Sequence, residues 1–107
     1  MSARDLLAKA SEDAEEVVKV AGGEVLVRRA AAHEVITATK HAASGDEAAF
    51  RLAVACLSIV DDDGSRPYVA ADGDLAEGIE ALRRLPGGLQ ISLSGAAMRV
   101  NGFSAGN

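Results

Sequence analysis

Residues 15–29 read EEVVKVAGGEVLVRR, and this stretch decides the fold. Valines recur with a period of two on both sides of Gly22-Gly23, the pattern of two half-buried strands joined by a tight turn that needs positive φ angles. With Gly22-Gly23 as the loop, Val20 is expected to face Val25 and Val18 to face Val27. The four valines then share one face as β-branched cross-strand pairs. An isolated hairpin is only marginally stable, so that face must pack against helices.

The surrounding sequence supplies them. Ser2 and Asp5 have the spacing of a helix start, followed by Leu6, Leu7 and Ala10. Residues 30–43 read as a helix with Ala32, Val35, Ile36, Thr39 and Ala43 on the inner face, and His33, Glu34, Thr37, Lys40 and His41 outside. Ser44 and Glu47 are spaced as a capping box for the next helix, residues 46–60, which is apolar nearly all round. This is the expected central helix, with Phe50, Val54, Cys56 and Leu57 buried. The turn at residues 61–67 ends it, and Asp72-Gly73-Asp74 precedes a helix carrying Leu75, Ile79, Leu82 and Leu85. Residues 89–94 alternate like a strand, yet Leu89, Leu93, Ala96, Ala97 and Val100 also share one helical face. Pro86 and Asn101-Gly102, suited to the start and stop of a helix, favour the helical reading. The tail, residues 104–107, is expected to be loose.

The chain has 107 residues, enough for one domain, residues 1–107. Of its 49% hydrophobic residues, 22 are alanines, leaving 30 larger apolar side chains and hence a thin core. The expected fold class is mainly α (α+β), a small helical domain with an N-terminal two-stranded β-hairpin, prone to self-association. The net charge is −5 and no basic run exceeds Arg28-Arg29 or Arg83-Arg84, which argues against nucleic acid, since phosphate binding needs a basic stripe. No apolar run suits a signal peptide or a membrane span, so a soluble cytoplasmic protein is expected.

Candidate chemistry is sparse. With Gly64 at the sixth position of a calcium loop, the first ligand position is Ile59 and the twelfth is Ala70, neither of them a carboxylate. His33 and His41, about 12 Å apart along one helix, cannot share a zinc ion. Cys56 sits among Val54, Ala55, Leu57 and Ile59, a setting for burial and not for nucleophilic catalysis. Gly22-Gly23 and Pro86-Gly87-Gly88 lack the Gly-Lys-Ser/Thr ending of phosphate loops. No enzyme activity, metal, nucleotide or other cofactor is expected. The one marked charge feature is residues 61–80, where seven acids meet a single base, Arg66. It reads as a solvated loop or as a docking surface for a basic segment.

The order of features resembles the small tail assembly chaperones of long-tailed bacteriophages and prophages. The matching residues are Gly22-Gly23-Glu24-Val25-Leu26-Val27-Arg28-Arg29, the run Ala53 to Val60, Asp62-Asp63-Gly64 with Tyr68-Val69, and Val100-Asn101-Gly102-Phe103. The resemblance spans residues 15–103 and rests on all four occurring in order. Ala21 departs from it, standing where relatives often carry an aromatic residue. The resemblance implies a non-enzymatic, self-associating chaperone that coats the tape measure protein and keeps it soluble while tail tube protein polymerises around it in the bacterial host cytoplasm. The expected partner-binding residues are Val18, Val20, Val25 and Val27 of the hairpin, Asp61, Asp62 and Asp63, and Leu89, Leu93 and Val100 of the last helix. The competing expectation is a small helical adaptor or immunity-type protein that binds a basic target through residues 61–80.

Overall fold

The computed structural model describes residues 2–10, 14–43 and 45–103. Its elements run α1 (Ala3–Ala10), β1 (Glu15–Val20), β2 (Gly23–Arg28), α2 (Ala32–Ala43), α3 (Glu47–Ser58), β3 (Ile59–Val60), α4 (Ala76–Arg83) and α5 (Gly87–Val100). The fold is α+β, with a hairpin following a short helix. The backbone N–H of Asp5 donates to Ser2 Oγ at 3.1 Å, so the expected cap of α1 forms.

Two expectations about the sheet are corrected. The turn is Ala21-Gly22, with Gly22 at φ +91°, and Val20 pairs with Gly23, Val18 with Val25 and Glu16 with Val27. The expected register is therefore off by two. A two-residue slip keeps every side chain on its own face, so the four valines still share the inner one. The slip is selected outside: it sets Glu15 opposite Arg28, Lys19 opposite Glu24 and Val17 opposite Leu26, pairing opposite charges that the other register would misalign. The second correction is that the sheet has three strands, in the order β1-β2-β3. Helix α3 stops two residues early, and Ile59 and Val60, both β-branched, extend to pair antiparallel with Val27 and Leu26.

Helix α3 is the centre of the molecule. Asp46 caps it, its carboxylate accepting from the Ala49 N–H at 2.9 Å; Ser44, the expected cap, lies outside the described residues. From Leu52 to Ser58 every residue is buried, and Phe50, Val54, Cys56 and Leu57 are all in the core. Helices α2, α4 and α5 pack around α3, and α5 also covers the inner face of the hairpin. In α2 the inner face is Val35 and Ala38, while Ile36 is 67% exposed and Thr39 is also outside, a rotation from the expected face. The small Ala38 is the residue turned into the core, and the bulkier Ile36 lies in solvent.

The segment 89–94 is helical. The backbone N–H groups of Leu89 and Gln90 both donate to the Pro86 carbonyl at 3.0 Å, starting α5. Its far end is tied to the other elements by Asn101. The Asn101 Nδ2 donates to Ser58 Oγ at 2.8 Å and to the Ala97 carbonyl at 2.7 Å, while Oδ1 accepts from the Ala30 N–H at 3.0 Å. One side chain thus joins the ends of β2, α3 and α5, and satisfies Ser58, a fully buried polar residue. Among the described residues no helix is long and apolar enough to cross a membrane.

Candidate functional site

The short β3 opens a groove on the surface. It reaches only Leu26 and Val27 of β2, so the hairpin tip overhangs the point where the chain leaves the sheet. A groove of about 830 Å³ opens there between the tip, the loop after β3 and the junction of α4 with α5. Val20 and Val25 line it from the hairpin, Pro67 and Tyr68 from the loop, and Leu85, Leu89 and Leu93 from the helices. Glu24, Asp61, Asp62 and Asp63 add carboxylates, and among the described residues no lysine or arginine lines the groove.

Local hydrogen bonds fix these walls. The Asp61 N–H donates to the Ser65 carbonyl and the Gly64 N–H to the Asp61 carbonyl, both at 2.8 Å, closing the acidic turn. The Ser65 hydroxyl donates to Asp63 Oδ1 at 2.6 Å and the Ser65 N–H donates to the same oxygen at 2.9 Å. Those two bonds, the hydroxyl first, hold the Asp63 carboxyl below its ordinary pKa. Arg66 points elsewhere: its Nη1 lies 2.9 and 2.8 Å from the two Glu34 carboxylate oxygens on α2. The single base of residues 61–80 is thereby occupied away from the groove, and the rim stays negative. On the opposite wall, Gln90 Nε2 donates to the Leu85 and Arg83 carbonyls at 2.7 and 3.0 Å. This satisfies the last turn of α4 and fixes the bend that presents Leu85 and Leu89.

Of the ten residues expected to bind a partner, Val20, Val25, Asp61, Asp62, Asp63, Leu89 and Leu93 converge on this groove. Val27 and Val100 do not: they are 0% and 4% exposed within the core. Val18 is half-buried against that core. Sequence reasoning passed over Glu24, Leu85 and Tyr68; a charged residue at a hairpin tip and a leucine just before Pro86 were the available signals.

Other chemical candidates take ordinary places. Cys56 is 0% exposed and burial pushes its thiol pKa up to about 12, so the reactive thiolate is suppressed. His33 is exposed on α2, and the side chain of His41 lies outside the described residues. Among the described residues no three His, Cys, Asp or Glu side chains gather as a metal site. The arrangement is suited to burying apolar side chains between carboxylates, a recognition surface. No protein-family model, curated protein or solved structure matches the chain.

Proposed function

We propose that the protein is a non-enzymatic chaperone that holds an amphipathic helix of its client in the groove beside the hairpin tip. The observation that carries this reading is the convergence of leucines and valines from three separate elements under a rim of carboxylates. An apolar floor takes the i, i+3 and i+4 anchors of a helix, and the rim selects clients whose anchors are flanked by Lys or Arg. Together with the resemblance of the sequence to tail assembly chaperones, this makes the tape measure protein of a long-tailed phage or prophage the client, kept soluble while tail tube protein assembles around it. Such a client is long, helical and prone to aggregate alone, which is the problem a groove of this kind solves.

The test is coexpression with a tape measure protein, scored for rescue of its solubility and followed by pull-down at 0.1 and 1 M salt. Rescue with retention at both salts is the expected result, because apolar burial survives screening. Binding that vanishes at 1 M salt favours instead the acidic adaptor, for which residues 61–80 alone make the contact. Failure to retain tape measure or tube protein at either salt overturns the chaperone reading.

A further inference from the structure

Among the described residues, strand β1 is the outer strand of the sheet, hydrogen-bonded to β2 on one side only. It runs six residues in unbroken register, with no proline and no bulge, two of the devices by which edge strands are usually blunted. Its outer face carries Glu15, Val17 and Lys19, and Val17 is 52% exposed.

We propose that β1 pairs antiparallel with β1 of a second copy of this chain, about a twofold axis through Val17, giving a continuous six-stranded sheet. The register follows from charge. A twofold axis perpendicular to the sheet keeps each residue on its face, so only even registers are allowed. Centring on Val17 sets Glu15 opposite Lys19 of the second copy, and Lys19 opposite its Glu15. Centring on Glu16 or Lys19 opposes like charges, and centring on Val18 sets Val17 against Lys19. Only the Val17 register extends what the hairpin already has. Within one chain Arg28 faces Glu15, and Glu24 faces Lys19, so across the seam the row runs Arg28, Glu15, Lys19, Glu24 with alternating sign. Between the two charged rows, Val60, Leu26 and Val17 meet their counterparts in one apolar row.

Val17, Leu26, Val60 and Glu24 of the proposed seam also line the groove, whereas Glu15 and Lys19 do not, so changes at those two charges test self-pairing apart from the client reading. The test is dimer formation by the full chain, measured by sedimentation over micromolar to millimolar concentration. Lys19→Glu and Glu15→Lys each replace two attractions by two repulsions and are expected to weaken the dimer by about tenfold or more. Mixed one to one, these two variants restore both attractions, so a heterodimer as tight as the wild-type dimer is expected. Val17→Cys should form a disulfide-linked dimer on oxidation, since directly opposed residues lie about 4.5–5.5 Å apart at Cα, whereas Ile91→Cys, on the exposed face of α5, should not. A wild-type chain that stays monomeric to millimolar concentration, charge variants that dimerise like wild type, or a mixture that fails to recover the dimer overturns the proposal.

Discussion

Asn101 shows how one residue can set the meeting point of three elements. Its amide fills two donor roles and one acceptor role at once. Asn101→Ala strands the buried Ser58 hydroxyl and the Ala30 N–H, and should cost about 1–3 kcal/mol by denaturant titration. Combined with Ser58→Ala the loss should be less than additive, because the second change removes a group the first left unpaired. Gly78 answers to a different constraint. It is buried in α4, and a Cβ there would overlap the Tyr68 carbonyl oxygen and lie 2.9 Å from Cys56 Sγ. An exposed Gly→Ala change in a helix gains up to about 1 kcal/mol. At Gly78 the overlap reverses the sign, and a net loss of about 1–3 kcal/mol is expected, with Tyr68 displaced from the groove wall.

At the scale of elements, β1 is held to α5 by Glu16, whose two carboxylate oxygens accept from Arg99 Nε and Nη2 at 2.8 and 2.9 Å. The Arg99 hydrogen bonds hold the Glu16 carboxyl below its ordinary pKa, against a smaller opposing effect of burial. A depressed carboxyl pKa stabilises the fold above the unfolded value, and the benefit is lost as pH falls through the folded value. Glu16→Gln should therefore flatten the acid side of a melting-temperature profile between about pH 5 and 3, while leaving the neutral-pH fold intact by circular dichroism. Helix α3 was legible as an unbroken apolar run, whereas residues 89–94 of α5 also alternate like a strand, and only the Pro86 to Gly102 frame tipped the reading to helix. The sequence placed the hairpin but not its register, because Gly22-Gly23 permits neighbouring turns, and only the outer charges, Glu15 with Arg28 and Lys19 with Glu24, choose between them. Strand β3 was hidden because two residues have no periodicity. The inner face of α2 was misread for a related reason: in an alanine-rich helix the volume pattern does not distinguish Ala38 from Ile36 as the inward residue.

On the scale of the whole molecule, the groove exists because three elements separated in sequence end at one place, which is why its residues were individually suspected but not seen as a unit. Its two kinds of contact can be separated. Changing Asp61, Asp62 and Asp63 together to Asn removes rim charge without touching the floor, and should slow association with a basic-flanked helical client several-fold at 0.1 M salt. The difference from wild type should disappear at 1 M, where the Debye length falls from about 10 Å to about 3 Å. Leu89→Asp places a charge on the floor and should abolish retention of the client at both salts; because Leu89 also packs against the core, the variant should melt lower but keep its folded circular dichroism spectrum at the assay temperature.

The lone thiol has a use beyond packing. Cys56 is fully enclosed and poorly ionised, so a thiol-specific reagent can reach it only when α3 and α4 part. Its modification rate is then a clock for opening of the interior, readable without adding a label or altering a single residue. Run with and without a bound client, the same clock would tell whether occupying the groove slows the breathing of the helices beneath it.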